Sequence, residues 1–255
     1  MALRKTSQEL APLLHPSVSH GQYDIYPAFP IGDGKIGVGI EALADALRHH
    51  SRVIIDGYIG IFWDHLRDEL DAALHAKGVA AAWNDVRSAY LPEKQIEELI
   101  APFMGGDDPI FGTRFTGMLA DFFDKNALEA LQPETRAGIS ILYGCGAALA
   151  GWDDALLVYV DVPKNEIQFR SRAGSTVNLG ASQPTDPKVM YKRFYFVDWI
   201  ALNAHKAALT PRIDLIVDGQ RPDALVFAAG SEMRNALTLM SRNYFRVRPW
   251  FEPGA

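Results

Sequence analysis

Short runs of residues that are apolar at successive positions mark the middle and the last third of the chain. Residues 52–56, 139–143, 156–162 and 213–217 are runs of this kind. Strands with apolar side chains on both faces are typical of a parallel sheet that helices cover on both sides. The pattern therefore predicts four buried strands of one sheet.

Segments with a helical spacing of apolar positions lie between these runs. Helices are predicted at residues 41–50, 64–77, 191–209 and 232–243. Residues 78–105 are also predicted to be helical, with breaks at Pro92 and Pro102, and 174–188 is predicted to be a loop. Because strands and helices alternate, the sequence predicts a doubly wound α/β fold with a mainly parallel sheet and helices on both faces.

The two ends of the chain differ in composition from its centre. Residues 1–22 contain two prolines and three serines, which predicts a flexible N-terminal arm. Residues 23–243 form the predicted α/β domain. Residues 244–255 are predicted to be a linker or the start of a further domain.

Composition excludes several classes of protein. The 255 residues are 48% hydrophobic and 22% charged, which is typical of a globular domain. The single cysteine excludes an internal disulfide and a cysteine-rich zinc site, so we predict no metal site and a reducing, cytoplasmic location. A net charge of −6 without a strong basic patch predicts no nucleic-acid partner. No apolar run reaches the roughly 20 residues that span a bilayer, so no membrane partner is expected.

The first glycine-bearing turn after a strand is a common phosphate site in α/β proteins, at the start of a helix. Here the turn begins at Gly57 and contains Gly60. Overlaying the P-loop motif from Gly57 puts Phe62 at the second glycine, Trp63 at the lysine and Asp64 at the Ser/Thr. Each change disfavours ATP, and Asp64 is predicted to cap the helix itself. A plain strand-turn-helix also accounts for these residues.

Basic residues elsewhere are candidates for holding a small anion. Arg170 and Arg172 are spaced to grip one phosphate together with Lys192 or Arg193, if all face inward. Solvated surface positions are the alternative. A weaker glycine-rich candidate precedes Lys35.

The order of motifs resembles that of uridine and related nucleoside kinases over residues 50–225. An acidic D-F-F-D segment runs from Asp121 to Asp124, a strand ending in a Y-G-C-G turn follows, and a hydrophobic strand then ends in D-V-P before Arg170. The resemblance implies that Asp121 and Asp124 hold the catalytic carboxylates of a kinase and that the arginines form a phosphate-clamping lid. As helix caps, the two aspartates have a purely structural explanation. The altered phosphate loop argues against ATP as a cofactor and against phosphoryl transfer.

A second resemblance, carried by residues 191–199 and 245–255, is to class I mannose-6-phosphate-isomerase-like proteins. In these bacterial proteins a kinase-like region precedes a cupin that carries the metal and the isomerase chemistry. The resemblance implies that a C-terminal cupin is a partner of this domain and that a cupin follows near residue 255, where Trp250 and Phe251 would attach. A C-terminal strand and tail is the alternative.

These observations predict a degenerate P-loop kinase-like domain that binds a sugar phosphate or a nucleotide, or assists assembly, without catalysis. The alternative is an active sugar or nucleoside kinase in which Lys35 or Arg114 replaces the missing lysine and Asp121 is the base. A third hypothesis is a pure interaction domain that docks on the cupin. A homo-oligomer is left open.

Overall fold

A computed structural model describes residues 3–10, 12, 17, 19–22, 24, 30–135 and 137–242 of the chain. The strands are β1 (Ile36–Val38), β2 (Arg52–Gly57), β3 (Ala81–Asp85), β4 (Ile139–Tyr143), β5 (Leu156–Asp161), β6 (Leu215–Asp218) and β7 (Val226–Ala229). The α-helices are α1 (Ile40–Leu47), α2 (Trp63–Ala76), α3 (Glu93–Ile100), α4 (Lys125–Ala130), α5 (Lys164–Arg172), α6 (Pro187–Arg193), α7 (Trp199–Leu209) and α8 (Gly230–Met240).

The strands form one sheet in the order β1-β7-β6-β5-β2-β4-β3. The pairs from β6 to β3 are parallel, whereas β7 is antiparallel to both β6 and β1. The central strands β2 and β4 are almost completely buried, because their branched and aromatic side chains find apolar partners above and below the sheet.

Helices cover both faces of this sheet. Tyr143 of β4 pairs with Ile55 of β2 and so shares its face, where the Tyr143 ring lies 6.3 Å from the ring of Trp63 in α2. The next side chain along β2, Asp56, points to the opposite face and contacts His205 of α7 at 2.8 Å. The predicted doubly wound α/β fold is therefore confirmed.

One sequence prediction of local structure is wrong, one is confirmed with a distortion, and one strand was not predicted. Residues 81–85 form β3 at the sheet edge, although the segment A-A-W-N-D lacks the branched residues that signal a strand. The predicted long helix at 191–209 is part of a helical run that starts at Pro187 and contains a π-turn, Phe194–Asp198, between α6 and α7. The edge strand β7 was not predicted, although residues 224–229 are apolar at every position.

In the described part of the chain, no helix combines the length and the apolar character that crossing a membrane requires.

Candidate functional site

The carboxyl edge of the sheet has a topological switch point between the neighbouring strands β2 and β5. The chain leaves β2 towards β3 on one side, and it leaves β5 towards β6 on the other side. Ligands of open α/β sheets bind in the crevice at such a point. A cleft of about 750 Å³ lies here, lined by the turn after β2, the start of α2 and the loop 174–184. Its volume is typical of a small-molecule site.

The turn between β2 and α2 packs closely against the protein. A Cβ on Gly57 would lie 2.5 Å from the Val160 carbonyl oxygen, and Gly60 has a φ of 95° with Ile167 close above it. The Gly60 carbonyl oxygen accepts a hydrogen bond from the Arg170 guanidinium at 2.6 Å. The two glycines therefore serve close packing and a positive φ, and each has a structural explanation without a ligand.

The N-terminus of α2 opens into the cleft. The helix starts at Trp63, its N-cap is Phe62, and no side chain caps it. Asp64 lies within the first turn and forms an ion pair with Arg87, so the prediction that Asp64 is the N-cap is wrong. Phenylalanine has no oxygen with which to cap a helix, and the first N–H groups of α2 therefore lack a side-chain acceptor.

Arg87 places a positive charge at this helix start. It follows β3 in a single 3-10 turn, and its Nε lies 2.7 Å from Asp85 Oδ2. The hydrogen bonds that Arg87 donates to Asp85 first, and also to Asp64, raise the pKa of Arg87. The Asp64 carboxylate is thereby neutralised by a neighbour.

The apolar walls of the cleft come from aromatic and aliphatic side chains. Trp63 and Tyr90 line it, and the Tyr90 ring stacks on Phe123 with centroids 4.6 Å apart. Burial raises the pKa of the Cys145 thiol, which also lines the cleft, and Asp56 reinforces the effect. A protonated, buried thiol is not a nucleophile.

The loop 174–184 forms the roof of the cleft and is anchored from below. Asn178 donates to Asp198 Oδ2 at 2.6 Å, and Arg193 bonds both Asp198 and the Leu179 carbonyl oxygen. Burial raises the pKa of Asp198, while Arg193 and Asn178 oppose the rise. Arg193, a predicted phosphate ligand, is thus an anchor of the roof.

The first residues of the chain lie beside this roof. Arg4 binds Glu166 at 2.6 and 2.9 Å, and its carbonyl oxygen accepts from Ser175. Lys5 consequently lines the cleft, where it is exposed.

Arg170 and Arg172 do not meet at one ligand. Arg170 is fully buried and donates to Glu166 and to the carbonyl oxygens of Gly60, Gly219 and Gln220. Arg172 is exposed on the other side of α5. Two residues along a helix differ in direction by roughly 200°, which explains the separation.

The remaining predicted cations are also dispersed. Lys35 pairs with Glu232 at 2.7 Å beside β1, four strands away from β2, a distance of about 19 Å at ~4.8 Å per strand. Arg114 is exposed on a loop outside the cleft. The Lys192 ammonium group donates to the Asp108 carbonyl oxygen and lines a second, separate groove with Arg172.

The two candidate catalytic aspartates have structural roles. Asp121 Oδ2 accepts from the Met118 amide at 2.7 Å, and Asp124 Oδ1 accepts from the Ala127 amide at 2.8 Å. Both carboxylates are exposed helix caps and neither lines the cleft. These contacts agree with the capping alternative.

Sequence reasoning missed a buried polar hub under the cleft. The Asp56 carboxylate accepts from the amides of Gly57, Gly146 and Ala148 and contacts His205. It joins β2, the turn after β4 and α7. Sequence reasoning also missed three further cleft residues, Arg87, Tyr90 and Lys5. They lie far from residues 57–64 along the chain, and one sequence does not show which distant residues meet in the fold.

Trp250 and Phe251 lie outside the described residues, so the attachment of a cupin there stays a prediction.

No curated protein matches the chain. Among solved structures, one similar chain is a protein provisionally described as a fructose transport system kinase from Silicibacter sp. TM1040. The TM-score is 0.43 at 17% sequence identity, and the match covers 67% of this chain and 95% of the other. A family model matches residues 39–242, and the chain therefore belongs to the family described as Domain of unknown function (DUF8485).

Proposed function

We propose that this chain is a kinase-like ligand-binding domain that holds a small phosphorylated metabolite in its cleft and does not transfer phosphate. The ligand class is a sugar phosphate or a nucleotide. The observation that carries the proposal is a cleft of about 750 Å³ at the switch point of the sheet, into which the uncapped N-terminus of α2 opens.

Three features of the cleft support a sugar phosphate or a nucleotide as the ligand. The first N–H groups of a helix of 14 residues, together with the helix dipole, favour a bound anion. Lys5 adds a cation that has no ion-pair partner among the described residues. The rings of Trp63 and Tyr90 provide apolar walls against which a sugar or a base can pack.

Three features argue against MgATP as the ligand. Trp63 occupies the position of the P-loop lysine. Phe62 occupies the position of the second glycine, and its ring centroid lies 4.4 Å from the guanidinium carbon of Arg170. Asp64 stands where the P-loop Ser/Thr would bind magnesium, and its carboxylate is paired with Arg87. No observation favours Lys35 as a substitute, since it lies about four strands away.

Thermal unfolding with a panel of ligands tests the proposal. The panel contains hexose monophosphates, UMP and MgATP, each at 1 mM. A ligand present at 100 times its dissociation constant adds about 2.7 kcal/mol of stability. For a domain of this size that raises the Tm by roughly 5–11 °C.

A cleft-filling variant, Thr176→Trp, provides the specificity control. It should abolish the shift, whereas Thr238→Trp, an exposed change on α8, should preserve it. If no phosphorylated compound raises the Tm, or if MgATP alone does so, the proposal is wrong.

A further inference from the structure

A second groove lies between the loop 109–111, helix α5 and the run from α6 into the π-turn. Its volume is about 420 Å³, within the range of small-molecule sites. The residues that matter for its chemistry are Phe111, Arg172, Lys188, Tyr191, Lys192 and Tyr195. We call it the α5–α6 groove. It shares no lining residue with the cleft beside β2.

Large apolar side chains stand exposed around the α5–α6 groove. Ile110, Phe111 and Tyr195 each leave more than half of their surface in water, and Tyr191 leaves 41%. Such clusters on a soluble protein mark binding sites, because water contact with apolar surface is unfavourable. The ring centroids of Tyr191 and Tyr195 lie 6.4 Å apart, and both rings line the groove.

The helix itself is distorted at this place. Tyr195 and Phe196 belong to the π-turn between α6 and α7, and both line the groove. Single π-turns within α-helices occur frequently at functional sites.

Cations rim the apolar surface. Among the described residues, neither Arg172 nor Lys188 has an ion-pair partner, and both are exposed. Lys192 donates one of its three N–H groups to the Asp108 carbonyl oxygen. These exposed positive charges are complementary to an anion.

The neighbouring carboxylates are already engaged by the backbone. Asp108 accepts from the amides of Ile110 and Phe111, and Asp186 accepts from those of Lys188 and Val189. Neither therefore needs the side chains of Arg172 or Lys188 as partners. The guanidinium and the ammonium groups remain available to a ligand.

We propose that the α5–α6 groove binds a small aromatic anion, an aryl carboxylate or aryl phosphate. The ring packs against Tyr191, Tyr195 and Phe111, and the anionic group is held by Arg172 and Lys188. A guanidinium group can grip a carboxylate or a phosphate with two parallel hydrogen bonds, which orients the ring. This site is independent of the ligand that the cleft binds.

Titration of the full chain with the fluorescent aryl sulfonate 8-anilinonaphthalene-1-sulfonate tests the proposal. We expect one bound probe per chain, and at least tenfold weaker binding in the double variant Arg172→Gln/Lys188→Gln. The neutral analogue N-phenyl-1-naphthylamine should change less than twofold in that variant. Tyr195→Ala should weaken both probes. The matched control Lys94→Gln/Lys125→Gln removes two exposed lysines elsewhere and should leave both affinities unchanged.

Competition identifies the anionic group. Displacement of the probe by phenyl phosphate or by phenylacetate names the headgroup, and failure of both overturns the proposal. Unchanged binding of the aryl sulfonate in Arg172→Gln/Lys188→Gln also overturns it, since this would be nonspecific adsorption. Preferential binding of an acidic, phenylalanine-containing peptide, or a dimer that Tyr195→Arg abolishes, would instead assign the groove to a protein partner or a second copy.

Discussion

Replacing Arg170 by methionine separates a scaffold arginine from a ligand-binding one. The Arg170 guanidinium is fully buried and donates to Glu166 at 2.8 Å and to Gly60, Gly219 and Gln220 at 2.6, 3.1 and 2.8 Å. Methionine keeps most of the apolar stem but none of the donors. The variant leaves Glu166, itself 1% exposed, with Arg4 as its remaining partner.

The expected loss follows from these contacts. A hydrogen bond to a charged group contributes about 1.5–3 kcal/mol, so the four bonds amount to roughly 6–12 kcal/mol before compensation. Removing the guanidinium also removes its cost of burial, several kcal/mol. We expect a net loss of about 3–5 kcal/mol in the free energy of unfolding. That is a large part of the 5–15 kcal/mol typical of a domain.

Urea unfolding followed by tryptophan fluorescence measures this loss. Arg172→Met is the matched control on the same helix, and because Arg172 is exposed its effect should stay within about 0.5 kcal/mol. The reasoning is refuted if Arg170→Met costs less than about 1 kcal/mol and yet abolishes binding of a phosphorylated ligand. Arg170 would then be a lid arginine.

Three further predictions concern the surroundings of the cleft. Burial raises the pKa of Glu166, but hydrogen bonds from Arg4 and Arg170 outweigh this effect and hold the pKa below its ordinary value. The wild type should therefore have a higher free energy of unfolding than Glu166→Gln above pH ~4.3 and should lose this advantage as the pH falls further. Urea titrations between pH 6 and 3 measure the difference. Gly57→Ala should destabilise the fold by about 1–3 kcal/mol, because its Cβ would lie 2.5 Å from the Val160 carbonyl oxygen; wild-type stability in urea would contradict the close packing. Asp198→Ala should speed amide hydrogen exchange in residues 174–184 and leave exchange in β4 as slow as in the wild type. If the variant changes exchange in the two segments by the same factor, Asp198 does not anchor the roof.

The sheet could be predicted because its central strands are encoded locally. Residues 139–143 and 156–162 are apolar at nearly every position, which is typical of a strand covered on both faces. β3 escaped prediction because its place at the edge, beside β4, comes from tertiary pairing and not from branched side chains.

The candidate site was less predictable than the fold. The position of the turn at Gly57 followed from the strand before it, and the cleft does lie there. The contacts of Arg170 and Arg172 could not be predicted, because one sequence does not reveal which side of α5 faces the core. Arg170 and Arg172 look alike in sequence, and burial alone distinguishes them.

One mixture decides whether the chain binds a phosphorylated metabolite without transferring phosphate. The full chain is incubated with MgATP and the phosphorylated metabolite that gives the largest Tm shift, and the phosphate signals are followed by ³¹P NMR. We expect the metabolite to bind one site per chain and the ATP signals to stay unchanged. Chain-dependent consumption of ATP that Thr176→Trp abolishes would contradict this expectation.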